Sequence, residues 1–217
     1  SLRVAELYLM RGIYDKALAL LLETLDQLEQ AGMQQEIADC CERIGNTYTA
    51  IGNLPQAVSF HAKAVAVNRQ LRRIPDVARN YTCMGAALVK MDSVDKGLSY
   101  FLVSCMIIDS LGLEPEKTSL LIQIGDGYAK LGKSEASLKN YYQAMELAEK
   151  NRDYFMLAQA RSRIGLAYFR MNNLPAALKY SREALAMADA LKTYRVEEEW
   201  FRNLSDIYAA QGNYKTA

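Results

Sequence analysis

Apolar residues recur along this chain at helical spacing, in two alternating kinds of stripe. One stripe runs Cys41, Ile44, Gly45, Tyr48 and returns as Leu121, Ile124, Gly125, Tyr128, the i, i+3, i+4, i+7 positions of an amphipathic helix. The other runs Leu54, Ala57, Val58, His61, Ala64, Val65 and returns as Leu174, Ala177, Leu178, Ser181, Ala184, Leu185. The pattern predicts a helix A and a helix B in alternation. No segment shows the period-two pattern of a half-buried strand, and no proline falls inside either stripe.

The alternation is periodic. Small residues stand at Ala5, Gly45, Gly85, Gly125, Gly165 and Ser205, at intervals of 40 without slippage. Three positions later come Tyr8, Tyr48, Leu88, Tyr128, Tyr168 and Tyr208, and seven later Gly12, Gly52, Asp92, Gly132, Asn172 and Gly212. Two further small files, Ala17, Ala57, Gly97, Ser137, Ala177, Ala217 and Thr24, Ala64, Ser104, Ala144, Ala184, belong to helix B. The small files predict close A–B contacts, with the tyrosines covering the gaps beside them. In the turn, Gly or Asn supplies a left-handed C-terminal cap, and Asn53, Ser93, Asn173 or Asn213 is placed to cap the next helix. Pro55 and Pro175 fall in the first turn of helix B, where a missing N–H costs little, while Pro75 and Pro115 punctuate the link to the next helix A. A single hairpin cannot bury both stripes, but a stack of hairpins does. The expected fold is all-α, a right-handed α-solenoid of antiparallel hairpins. It forms one array over 1–217, with repeats at about 1–35, 36–75, 76–115, 116–155 and 156–195 and an incomplete one at 196–217.

Composition narrows the chemistry. With 26 Lys and Arg against 25 Asp and Glu, the chain has no overall charge that draws it to nucleic acid or an anionic membrane. Its longest charge-free apolar stretch, Gly97 to Ile108, is well short of the ~20 residues a spanning helix needs. Cys40, Cys41, Cys83 and Cys105 have no CxxC spacing and read as small buried hydrophobes, which leans the compartment toward a reducing one. The one histidine, His61, lies in the helix B stripe and reads as structural. Leu131–Lys133 lacks the strand and glycine pattern of a phosphate loop, and the carboxylates are scattered over exposed faces. No catalytic residue, metal site or cofactor is expected.

The order small-x-x-Tyr, then Gly, then spaced alanines resembles the tetratricopeptide repeat over the whole chain. The usual repeat has about 34 residues, so the extra residues are expected in the helix ends and the inter-repeat link. Segments such as LSDIYAAQGNYKTA and ALKYSREALAMADAL are similar to the arrays of bacterial signalling proteins, sensor histidine kinases among them. The resemblance implies a concave face lined by helix A that binds a protein or peptide. The candidate ligand-binding residues there are Asn46, Arg79, Lys90, Asp126, Lys130, Leu166, Phe169, Arg170 and Arg202. Lys90, Lys130 and Arg170 recur every 40 residues near helix C-termini, placed either to grip a peptide or to complement the helix dipole. The carboxylate clamp of chaperone-binding relatives is not reproduced: only Asn46 corresponds, and Glu42 stands where that clamp has a lysine. The implied function is a non-catalytic binding module in the sensory or regulatory region of a larger signalling protein. The alternative is a structural scaffold or oligomerisation element. A sensor-kinase input region would lie in the periplasm and otherwise the chain is expected in the cytoplasm. Both ends cut through a repeat, so the chain reads as part of a longer protein, with end-to-end self-association expected through Trp200 and Phe201.

Overall fold

The computed structural model describes the backbone of residues 2–191 and 194–210 and the side chains of 4–191 and 200–210. The described residues form helices α1 (Leu2–Met10), α2 (Tyr14–Ala31), α3 (Gln34–Ala50), α4 (Leu54–Gln70), α5 (Ile74–Lys90), α6 (Val94–Leu111), α7 (Glu114–Lys130), α8 (Ser134–Lys150), α9 (Tyr154–Arg170), α10 (Leu174–Leu191) and α11 (Tyr194–Ala210). Odd-numbered helices carry the helix A stripe and even-numbered ones the helix B stripe. Two compact units result, residues 1–112 and 113–217. Each is an all-α stack of antiparallel hairpins.

The helices end at left-handed corners that come twice per repeat. Positive φ occurs at Gly12, Gly32, Gly52, Arg72, Asp92, Gly112, Gly132, Arg152 and Asn172, one every twenty residues. At a typical corner Gly52 N donates to Thr49 O at 3.2 Å and Asn53 N to Tyr48 O at 2.9 Å, which satisfies the last carbonyls of α3. The same long bond runs from Arg73 to Asn68 and from Asp153 to Ala148, after B helices. The link between repeats is therefore as short as the turn within them. The residues beyond the usual repeat length go into helices of 17 or 18 residues, contrary to the expectation of a longer link. Pro75 and Pro115 likewise sit inside the first turn of α5 and α7 rather than in a linker. Asn53 and Asn173 cap through their side chains, accepting from Gln56 N and Ala176 N. Ser93 makes no side-chain cap, and Asn213 lies outside the described residues.

Helices A and B touch backbone to side chain at the small file. A Cβ on Gly45 would lie 2.8 Å from the His61 ring, on Gly85 2.6 Å from Phe101, on Gly125 2.4 Å from Tyr141, and on Gly165 2.4 Å from Ser181 Oγ. Each glycine thus faces one position of helix B, and that position takes a residue of any size or polarity. The helix B small files are fully enclosed, with Ala17, Ala57, Ala64, Ser104, Ser137, Ala144, Ala177 and Ala184 at 5% exposure or less. The tyrosine file is half-buried as a cover: Tyr48 stacks on Phe60 and Tyr168 on Tyr180, with ring centroids 5.5 and 5.9 Å apart.

Trp200 does not behave as the sequence reading expected. It is 3% exposed and packs with Ala158, Ala184 and Ala188 of α9 and α10, while Phe201, one residue on, is 58% exposed. The preceding hairpin already buries the indole, because the alanines of the small files leave a slot for it. Trp200 is not available for an end contact.

The A–B contact generates a prediction. Gly125→Ala gains helix propensity of up to about 1 kcal/mol but forces a methyl into Tyr141, an overpacking cost of about 1–3 kcal/mol. Because the Tyr141 hydroxyl is tethered, the ring cannot swing clear at no cost. A net loss of about 1–2 kcal/mol is expected in urea unfolding of the variant, and a midpoint at or above wild type would contradict it.

Candidate functional site

The helix A face of the first unit is organised by an ion network. The Arg79 guanidinium meets Glu42 with both arms, Nε to Oε1 at 2.8 Å and Nη2 to Oε2 at 2.9 Å, and reaches Asp76 at 2.6 Å. Arg73 joins Asp76 to Asp39, at 2.6 and 2.8 Å. Three carboxylates from α3 and α5 therefore share two arginines. The sequence reading placed Arg79 as a ligand-gripping cation; the structure ties it to carboxylates of its own chain. Asn46 and Lys90 are exposed on the same unit, on α3 and at the end of α5.

Behind this network lies a buried polar relay. His61, fully enclosed on α4, shares a 2.8 Å hydrogen bond between Nδ1 and Asn80 Oδ1. The Asn80 amide donates to Glu42 Oε2 at 3.0 Å and to the Asp76 carbonyl at 2.9 Å. Since the amide nitrogen is committed to two acceptors, the Asn80 oxygen faces the ring and Nδ1 carries the proton. The remaining ring nitrogen, Nε2, has no partner and lies against the Gly45 backbone. Burial pushes the imidazole below its ordinary range, partly opposed by the Asn80 bond and by Glu42.

The second unit repeats the theme with other residues. The Tyr141 hydroxyl of α8 donates to Asp126 Oδ1 at 2.7 Å, and Arg163 Nε of α9 lies 3.1 Å from the same oxygen. The Tyr141 phenol is held well above its ordinary range, by burial first and by Asp126 next, with Arg163 and Arg170 pulling the other way. Asp126 is thus brought together with Arg163, and Arg170 is close enough to act electrostatically on the same phenol. Leu166 and Phe169 are half-buried rather than fully exposed, and Lys130, Arg170 and Arg202 are exposed. A separate cluster joins Tyr142 to the hydroxyls of Tyr168 and Tyr180 at 3.0 Å each.

Sequence reasoning missed Arg43, Asn80, Tyr141 and Arg163. A signal for two of them exists in the spacing. Glu6 pairs with Arg43, Glu42 with Arg79, and Asp126 with Arg163, each acid bonding an arginine 37 residues on, on the next helix A. The polar partners on helix B, His61 and Tyr141, occupy the file opposite the glycines, whose residue type follows no period.

The thiols are shifted away from reactivity. Burial raises Cys40 to about 12 and Cys41 and Cys83 to about 11, and Cys40 Sγ donates to the Leu21 carbonyl at 3.3 Å. Cys83 and Cys105 are only half-buried, where full burial was expected. No described helix is long and apolar enough to cross a membrane.

Family models described as tetratricopeptide repeat match residues 37–71 and 117–190, just over half of the chain together. Among solved structures, BtubC (BKLC) from P. vanneervenii is similar at TM-score 0.80 and 16% identity, with 94% of this chain and 86% of that one covered. A Signal Transduction ATPase with Numerous Domains protein with a tetratricopeptide repeat sensor, from Pyrococcus horikoshii, aligns at TM-score 0.84 and 18% identity. It covers 99% of this chain, which spans 34% of that one. The apo form of RapI aligns at TM-score 0.83 and 16% identity, covering 99% and 91%. At such identities the likeness concerns the fold. No curated protein sequence matches the chain.

The His61 relay predicts a pH effect with a definite sign. A histidine whose folded value is depressed binds its proton in the unfolded chain first, so stability is complete above the ordinary value of about 6.5 and is lost as the pH falls below it. Urea midpoints measured at pH 7.5 and at pH 5.5 are expected to differ more in wild type than in His61→Gln, which removes the titrating ring. Equal pH slopes in the two proteins would exclude the effect.

Proposed function

We propose that this chain, which belongs to the tetratricopeptide-repeat family, is a non-catalytic module that binds a protein or peptide on the helix A faces of its hairpins. The observation that carries the reading is the pairing of half-buried Leu166 and Phe169 with exposed Arg170 on α9. Apolar surface beside a fixed charge suits a peptide better than bulk water does. The groups with resolved shifts fit a binding role: the Cys40, Cys41 and Cys83 thiols, the Tyr141 phenol and the His61 imidazole are each held in the uncharged form, which favours packing over nucleophilic or acid–base work. The ligand face comprises Asn46 and Lys90 in the first unit and Asp126, Lys130, Leu166, Phe169, Arg170 and Arg202 in the second. Arg79 contributes by holding Glu42 in place.

A place in signalling is the finer part of this proposal. It is supported by the forty-residue repeats, by the likeness of LSDIYAAQGNYKTA and ALKYSREALAMADAL to sensor-kinase arrays, and by the likeness to a signal-transduction ATPase whose repeats are described as a sensor. In such a protein the array is the part whose occupancy a linked domain reads.

A second reading, a scaffold or oligomerisation element, is favoured by one surface. Leu102, Val103 and Met106 of α6 are 45%, 42% and 72% exposed, while the equivalent positions of α8 carry Tyr142, Gln143 and Glu146. Light scattering over a wide concentration range separates the readings, because self-association through α6 is lost in Leu102→Ser/Met106→Ser.

The binding reading predicts the behaviour of one variant. A partner retrieved by proximity labelling and then purified binds wild type, and Lys90→Glu/Lys130→Glu/Arg170→Glu loses tenfold or more in titration calorimetry, about 1.4 kcal/mol. Unchanged affinity rejects the assigned face.

A further inference from the structure

The charge balance of the second unit is consistent with one kind of ligand. Residues 122–130 of α7 and 162–170 of α9 carry four charged side chains: Asp126 against Lys130, Arg163 and Arg170. Asp126 is already engaged from two sides, by the Tyr141 hydroxyl at 2.7 Å and by Arg163 at 3.1 Å. The carboxylate that might have neutralised the rest of the face is thus spent on holding α7, α8 and α9 together. In the first unit the opposite arrangement holds, where two carboxylates, Glu42 and Asp76, converge on Arg79. The two helix A faces are built from the same repeat but differ in sign.

We propose that the helix A face of the second unit takes an acidic peptide segment in extended form, its carboxylates on Lys130 and Arg170 and an apolar side chain between them on Leu166 and Phe169. The inference deepens the binding reading above and rests on it. Lys130 and Arg170 occupy equivalent last-turn positions of α7 and α9, helices that are in direct contact. Axes of packed helices lie about 8–10 Å apart, and an extended chain advances about 3.3 Å per residue. Carboxylates two or three residues apart on the ligand, about 7–10 Å, therefore match the two cations. An arginine accepts a carboxylate through both arms, so the α9 end sets the orientation and the α7 lysine adds a point charge. Phe169 and Leu166, half-buried beside Arg170, leave an apolar floor for the intervening residue. Cations in the last turn also relieve the helix dipole. That role accounts for their sign but not for the shortage of carboxylates around them.

The test uses the full chain and a synthetic peptide array of extended sequences carrying paired Asp or Glu at separations of one to four residues, with Gln and Lys replacements of each. The expected result is retention of sequences with acids two or three apart, a loss of tenfold or more in the Lys130→Glu/Arg170→Glu variant, and severalfold weaker binding when salt rises from about 0.05 M to about 0.5 M. Thermal unfolding of the variant, at wild-type temperature, establishes that these exposed substitutions leave the fold intact. Binding with no acidic preference, lost in Leu166→Ala/Phe169→Ala but kept on charge reversal, overturns the acidic assignment and leaves the binding face standing. Binding unaffected by any of these substitutions, or no retained sequence, overturns both.

Discussion

The absence of a side chain at one position per hairpin governs this fold. At Gly45, Gly85, Gly125 and Gly165 the helix A backbone comes so near helix B that a methyl group would lie 2.4–2.8 Å from its neighbour. That approach brings the tyrosine three residues on over the edge of the contact and lets the alanine and serine files of helix B close completely. Helix length, corner geometry and stacking then follow. A hairpin whose helices sat an ångström further apart would leave the small files lined by voids, and dispersion contacts would be lost along the whole seam.

The same closeness explains why polar residues can live inside the seam. His61 and Tyr141 lie in the space that the glycines vacate and send a polar atom through to the helix A faces, one through Asn80 to Glu42, the other directly to Asp126. Each acid also takes an arginine from the next helix A. Three helices are thereby joined through one carboxylate. Buried polar links of this kind contribute less to net stability than to selecting a single arrangement, since a mismatched neighbour would leave a carboxylate or a ring nitrogen without a partner.

Much of this was legible in the sequence because it is written periodically. The small, tyrosine and corner files recur every 40 residues, and a steric requirement that recurs in space recurs in the chain. Trp200 was misjudged because its burial depends on the alanines of α9 and α10, which the stripe of α11 does not contain. The inter-repeat corners were overlooked because two of them are held by Arg72 and Arg152, residues that seldom adopt a left-handed conformation and so give no compositional sign. The chemistry of the faces was least legible. Charge type at Glu42, Arg79, Asp126 and Arg163 is visible in the sequence, but which cation is consumed by which acid depends on helix–helix distances that no local pattern encodes.

The corners every twenty residues have a consequence for how the chain finds its structure. Since a bend after helix B is the same as a bend after helix A, local geometry would be equally content with the whole stack displaced by one helix. Only the glycines, present on every second helix, forbid that displacement. Register is therefore decided late, when helices first press together, and a nascent chain must sample partnerships that its own bends accept and its seams refuse.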